Sequence, residues 1–376
     1  MRILVLPGDG IGPEIVAASI DVLKQADHAF YLGLQFDYED VGFISLEKHG
    51  TTLRQEVLDK ATSYDGVILG TQSHADYPAP DKGGRNISAA FRCDLDLYAN
   101  VRPSRSREFL GKGAKNMDLV IMREATEGFY PDRNMYEGWG EMMPSKDMAI
   151  SVRKITAHCS ERIARRSFEL AMKRKKHVTA IHKANSFHMT DGLFLREVRK
   201  VAAEFPEVKF DDLLVDASTA YLVRDPSRFD VIVATNFYGD ILSDLASELS
   251  GSLGLGGSVM AGDNLCCAQA QHGSAPDIQG QDKANPTSMI LSVAMLVQWL
   301  GEHRAKPNFV AAAVAIDAAV DKVLANPATR TADLGGSMGC AALPEKSWGT
   351  QSPIIERGPR ARFTSGSGPA AHYDRL

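Results

Sequence analysis

Residues 3–23 read ILVLPGDGIGPEIVAASIDVL. The apolar run Ile3 to Leu6 is followed by a glycine-rich turn and then by an amphipathic stretch from Ile15 to Leu23. Pro13 falls in the first turn of that stretch, where a missing N–H costs nothing, so the segment reads as strand, turn, helix. A GxGxxG dinucleotide turn would need a third glycine at position 13, where Pro13 stands, and the ordinary Rossmann reading is therefore rejected.

The same grammar recurs along the chain. Strands are expected at Gly66 to Leu69, Leu119 to Met122, Val178 to Ile181, Leu213 to Val215 and Asp230 to Ala234, separated by helix-length amphipathic segments. The fold class is α/β, with a largely parallel sheet covered by helices, and such sheets bind ligands beyond their strand ends. With 376 residues, 44% hydrophobic and 24% charged, the chain has room for two domains. A formal net charge of −5 argues against nucleic acid or an anionic membrane as partner. The five cysteines are odd in number and form no CxxC pair, and no secretory or membrane-spanning apolar run is present, so a cytoplasmic location is expected. Vicinal Cys266 and Cys267 read as buried small hydrophobes.

The chemistry concentrates after the expected strands. In NFYGDILSD, Asp240 and Asp244 lie four residues apart, on one face if the segment is helical, a geometry suited to a hard divalent cation. Capping a helix N-terminus is the alternative for two such aspartates. Asp216, after the LLV strand, supplies a third carboxylate for Mg²⁺ or Mn²⁺, and no histidine or cysteine cluster suggests zinc. Arg92, Arg102 and Arg123 are forks for carboxylates and would together hold a substrate carrying at least two. Lys183, with Asn185 two residues on, is a candidate base, and Tyr130 a candidate proton donor.

Seven blocks then stand in order: LPGDGIGPE (6–14), RCDLDLYANVRP (92–103), REATEGFY (123–130), HKAN (182–185), VDAS (215–218), NFYGDILSD with GSLGL (236–255), and HGSAPDIQGQDKANPTSMILS (272–292). Together they resemble the β-decarboxylating dehydrogenases, the isocitrate, homoisocitrate and 3-isopropylmalate dehydrogenases. The resemblance implies a two-domain fold distinct from the Rossmann fold. Residues 1–99 plus 252–340 would form the cofactor-side domain, residues 100–251 the second, with an interlocking arm near 136–151 and a Gly-, Pro- and Ser-rich tail at 341–376. It also implies a homodimer with shared active sites, in which Lys183 and Asp216 serve the neighbouring subunit.

By the same resemblance, a cation on Asp216, Asp240 and Asp244 chelates the substrate while Lys183 helps remove the hydroxyl proton. Hydride passes from C2 to the nicotinamide, CO₂ leaves, and Tyr130 protonates C3. His272, Gly273, Ser274, Ala275 and Ile278 would lie along the cofactor, with Asn285 near the adenine. Asp277 would accept hydrogen bonds from free ribose hydroxyls and repel a 2′-phosphate, which points to NAD.

The substrate is a small hydroxy di- or tricarboxylic acid, and its C3 substituent would meet the segment Arg85 to Phe91. Asn86, Ser88, Ala89 and Ala90 are small or polar there, which leans toward isocitrate or homoisocitrate, or a small substituent as in D-malate or tartrate. A 3-isopropylmalate dehydrogenase, or a non-catalytic regulatory subunit, are the alternatives. Gln269 and Ala270 stand where the family usually has Glu-Pro, removing a charge near the nicotinamide side. Gly257 and Ser258 replace a proline-serine pair.

Overall fold

A computed structural model describes residues 1–342. The expectation of a tail from 341 onward therefore lies, beyond Ala342, outside the described residues. The first part of the chain forms β1 (Arg2–Leu6), α1 (Gly12–Phe30), β2 (Gln35–Tyr38), α2 (Phe43–His49), α3 (Gln55–Ala61), β3 (Gly66–Leu69) and α4 (Ile87–Asp94). The middle gives β4 (Ala99–Arg105), β5 (Asp118–Glu124), β6 (Glu141–Ser145), β7 (Met148–Ser151), α5 (Ala157–Met172), β8 (His177–His182), α6 (Thr190–Ala202), β9 (Lys209–Leu214) and α7 (Val215–Arg224). β10 (Val231–Ala234), α8 (Asn236–Leu249), β11 (Val259–Ala261), β12 (Cys266–Gln269), α9 (Thr287–His303) and α10 (Pro307–Ala325) follow.

Ten strands make one sheet in the order β2-β1-β3-β12-β11-β4-β5-β10-β8-β9. It consists of two parallel blocks, β2-β1-β3-β12 and β5-β10-β8-β9, joined through β11 and β4, whose ladders to each other, to β12 and to β5 are antiparallel. Two buried clusters fill the space around the first block, drawing on β1, α1, β3, β12, α9 and α10. Two more lie either side of the second, under α5 and α6 on one face and α8 on the other. Cys266 and Cys267 are fully buried in the first pair, as small hydrophobes are.

Two strands stop short of the range expected from sequence, while the other expected strands match it or run a residue or two further. β9 spans Lys209–Leu214, and Val215 already opens α7. β9 is an edge strand, and its polar first half, KFDD, fits the side of a sheet that water reaches. Asp230 precedes β10 and serves instead to bind Arg174 and the His177 amide. β4 escaped the apolar-run criterion because it carries two arginines and Pro103. A proline fits there because β11 pairs only with Ala99 to Val101, leaving that side of β4 open at Pro103.

β6 and β7 form a separate two-stranded hairpin in which every residue is exposed, Met142, Met143, Met148 and Ile150 included. Such a hairpin is marginal alone in water.

Candidate active site

Strand alternation builds the site. Along β4, Asn100, Arg102 and Ser104 face α8, and along β5 Leu119, Ile121 and Arg123 face the same way, while Val120 and Met122 face the α5 side. Arg102 and Arg123 thus emerge together beneath α8. The helix is held close by Gly239, where a Cβ would fall 2.7 Å from the Arg123 Cβ. Asn236, buried at the helix start, accepts from Arg123 Nε at 2.8 Å and donates to the Glu127 carbonyl at 2.7 Å.

Asp240 then lands on the arginines. It accepts from Arg123 Nη1, from Arg102 Nη1 at 3.2 Å and from the Tyr130 hydroxyl at 2.6 Å. Burial opposes its ionisation, but the charges of Arg123 and Arg102 outweigh burial and hold Asp240 below the usual carboxylate range. Asp244, one turn on, accepts from Arg102 at 3.4 Å and from Gln271 Nε2 at 3.0 Å. Burial raises the Tyr130 pKa, against the pull of Arg123, so its hydroxyl keeps its proton at neutral pH.

Arg92, near the end of α4, completes the group. It is only 9% exposed and among the described residues has no carboxylate partner; its Nε donates to the Met260 sulfur at 3.1 Å. Burial and then the neighbouring Arg123, Arg102 and Arg133 bring its pKa down to about 9. Burial and Arg123 bring Arg102 down to about 10. A buried cation without a counter-ion is costly, so this cluster is a site built to take anionic oxygens.

Lys183, Asn185 and Asp216 lie elsewhere. Lys183 Nζ pairs with Asp216 at 2.8 Å, and its backbone N–H donates to the fully buried Asp191 at 2.6 Å. Asn185 is exposed beside them. Among the described residues no hydrogen bond or ion pair joins these three to the arginine cluster, and no group of three metal-binding side chains gathers in one place. The carboxylates of Asp240 and Asp244 fit a hard cation by donor type.

On the other side of the site the turn Pro7–Ile11 packs against the loop after β12. Ile11 N donates to the Ser274 carbonyl at 2.8 Å, and a Cβ on Gly10 would fall 2.0 Å from that oxygen. Ser73 Oγ donates to Ser274 Oγ at 2.7 Å, and Ala275 takes a left-handed φ of 38°. His272 Nδ1 lies 3.0 Å from the Gly273 carbonyl and so carries the hydrogen, leaving Nε2 a buried acceptor with no partner among the described residues. Burial lowers the His272 pKa and keeps the ring neutral. An unpartnered acceptor of this kind fits a hydroxyl or amino group of a nucleotide. Asp277 is exposed, Ile278 packs on the core, and Asn285 bridges Asp333 and the Thr287 amide.

Beside α4, Ser88 Oγ donates to Gln72 Oε1 at 2.6 Å and accepts from Gln269 Nε2 at 2.9 Å. Asn86 caps α4 through its carbonyl and donates to Asp132 at 3.0 Å. Gln72, Gln271, Asp132 and Arg133 were not found from sequence. No motif marks Gln72 or Gln271, and the ion pair between Asp132 and Arg133 looks like any surface pair until Arg133 is seen 4.9 Å over the Tyr130 ring.

A mostly parallel α/β sheet thus carries an arginine–aspartate–tyrosine cluster fit for a small acid bearing carboxylates, and the class of enzyme comes from its relatives. The chain belongs to the isocitrate/isopropylmalate dehydrogenase family, whose model matches residues 2–350. Its members are β-decarboxylating hydroxy-acid dehydrogenases that use a nucleotide cofactor and a metal ion. The chain is 38% identical to a 3-isopropylmalate dehydrogenase of Archaeoglobus fulgidus, over 90% of this chain and 95% of that one. It is 41% identical to an isocitrate/homoisocitrate dehydrogenase of Thermus thermophilus, over 92% and 96%. The solved isocitrate dehydrogenase of Methylococcus capsulatus superposes with a TM-score of 0.82 at 38% identity, covering 92% of this chain and 98% of that one. Relatives with three different substrates at similar distance leave the substrate open. Among the described residues no helix is long and apolar enough to cross a membrane.

Proposed function

We propose that the protein carries out NAD- and Mg²⁺- or Mn²⁺-dependent oxidative decarboxylation of a 3-substituted (R)-malate. The observation that carries this reading is the arginine cluster: three buried guanidinium groups gather where only the half-buried Asp240 and, through Arg102, Asp244 face them, and Arg92 has no carboxylate partner among the described residues. A substrate with two carboxylates supplies the missing charge. When bound, the cation supplies Lewis acidity at the C2 oxygen, and NAD takes the hydride.

The chain's own groups do the rest. Arg92, Arg102 and Arg123 orient the carboxylates and hold the departing one in line with the developing charge. Tyr130, kept protonated by burial, delivers a proton to C3 after CO₂ leaves. Lys183, hydrogen-bonded to Asp216, takes the C2 hydroxyl proton. His272 to Ile278 and Asn285 receive NAD, with Asp277 against the ribose.

The separation of Lys183 and Asp216 from the arginines supports a homodimer in which each site draws on both chains. The apolar hairpin at 136–151 and the exposed Phe237, Ile241 and Val223 on α8 and α7 are surfaces a second copy would cover. The four cores support two domains, 1–99 plus 252–340 and 100–251. Five free cysteines agree with a reducing cytoplasm.

The test is NADH formation by the purified protein with Mg²⁺, across D-malate, the tartrates, isocitrate, homoisocitrate and 3-isopropylmalate, repeated with the metal chelated. Metal-dependent turnover of one or more is expected. Silence on all of them, with NAD still bound, would overturn the reading.

A further inference from the structure

The contacts around Ser88 fix hydrogen directions, and the order in which they do so starts from one backbone carbonyl. Gln72 meets the Gly70 carbonyl, which only an N–H can satisfy, so its Nε2 points there and its Oε1 points at Ser88. Ser88 must then donate to Gln72 Oε1, which lies 2.6 Å away. Gln269 also approaches that oxygen, at 2.9 Å, so its amide nitrogen faces inward and donates to Ser88 Oγ as well. The Ser88 hydrogen is spent. What the network leaves over is one Ser88 lone pair and Gln269 Oε1, to which no described group donates.

Ser88 lies one helical turn before Arg92 on α4 and therefore on the same face as that carboxylate-binding residue. On the reading above, this is where the C3 substituent of the substrate sits. Asn86 adds little for an anion: its carbonyl caps Ala89 N, and its amide is turned to the Asp132 carboxylate. An incoming carboxylate would meet acceptors at Ser88 and Gln269, and the charge of Asp132 is already taken up by Arg133. A hydroxyl would find acceptors to donate to.

We propose that Gln72 and Gln269 are specificity-determining residues that lock Ser88 as an acceptor, so that the C3 pocket selects a hydroxyl substituent, as in a 2,3-dihydroxy diacid, and rejects a carboxylate-bearing arm. Gln269 reinforces the device by donating to both Gln72 Oε1 and Ser88 Oγ, which an ionised glutamate, with no hydrogen to give, could not do. The inference rests on the proposed reaction class and narrows it.

The test is kcat/KM of the wild-type protein with NAD and Mg²⁺ for D-, L- and meso-tartrate against isocitrate, homoisocitrate and 3-isopropylmalate, together with Gln72→Leu, which frees the Ser88 hydrogen. One tartrate is expected to exceed every acid with a carboxylate-bearing or branched C3 arm by roughly tenfold or more. In Gln72→Leu the tartrate-to-isocitrate ratio is expected to fall by roughly tenfold, mostly through KM. Preference of the wild-type protein for isocitrate, homoisocitrate or 3-isopropylmalate would overturn this inference and leave the reaction class standing. So would an unchanged ratio in a Gln72→Leu variant with the wild-type circular dichroism. Turnover of D-malate alone would overturn this inference only, and turnover of neither D-malate nor any of these acids would overturn the reaction class, and this inference with it.

Discussion

Gly239 on α8 lies directly on Arg123 of β5: a Cβ at position 239 would fall 2.7 Å from the Arg123 Cβ and 2.8 Å from its Cγ. That contact sets the height of α8 above the sheet and so delivers Asp240 to Arg123 and Tyr130. Gly239→Ala would gain about 1 kcal/mol in helix propensity and lose about 1–3 kcal/mol to overpacking. The expected result is a lower melting temperature and a fall in kcat/KM of about tenfold or more, because Asp240 is displaced with the helix. A variant that is more stable and fully active would show that the helix height is set elsewhere.

Glu127 is buried at 2% exposure, with Oε1 accepting from the Thr156 amide and Oε2 without a partner among the described residues. Burial first, and then the nearby Glu124, raise its pKa from 4.5 to about 7. A carboxyl with a raised folded-state pKa stabilises the fold below its unfolded value and loses that contribution as pH rises through the folded one. Stability should therefore fall between about pH 4.5 and pH 7, by about 3 kcal/mol from this group. Glu127→Gln keeps an acceptor for Thr156 and cannot ionise. It should match the wild type near pH 5 and exceed it near pH 8 in thermal unfolding. Equal pH slopes for the two proteins would mean that Glu127 is charged in the fold.

Much of this was legible in the sequence, and the limits have physical causes. The buried strands β3, β5 and β8 are continuous apolar runs, since both faces are covered, and they stood out accordingly. β4 did not, because one of its faces is the site: Asn100, Arg102 and Ser104 break the apolar pattern that a strand search follows. The helical pairing of Asp240 with Asp244 and the strand-end positions of Arg123 and Asp216 needed only local spacing. Gln72 and Gln269 are 197 residues apart, and their contact exists only because β3 and β12 are neighbours in the sheet. That Arg92 lacks a counter-ion is likewise a property of packing.

Asp277 is exposed at the start of a short turn, and among the described residues no group donates to its carboxylate, so its charge faces the solvent or a ligand. If it meets the ribose of NAD, Asp277→Lys should lower kcat/KM with NAD by about tenfold or more while improving use of NADP, through KM in both cases. The fold should be unaffected, because the side chain packs on nothing. The check is the ratio of kcat/KM for the two cofactors. An unchanged ratio would remove Asp277 from the cofactor site.

Lys183 and Asp216 form their own ion pair, apart from Tyr130 and Asp240, and this separation makes a prediction about subunits. Lys183→Met removes the proposed base, and Tyr130→Phe removes the proposed proton donor, so each homodimer should lose about 10²-fold or more in kcat. In a heterodimer of the two, one site would combine Tyr130 from the first chain with Lys183 from the second and be intact, while the other would lack both. Equal co-expression makes half the dimers mixed, each with one good site, so about a quarter of wild-type activity should return. If Lys183 and Tyr130 instead met within one chain, both sites of every mixed dimer would remain defective and no activity would return. Size-exclusion chromatography of the mixture identifies the dimer, and tagging the two chains differently isolates the mixed species. Its specific activity, near half of wild type or near zero, decides whether the site is shared.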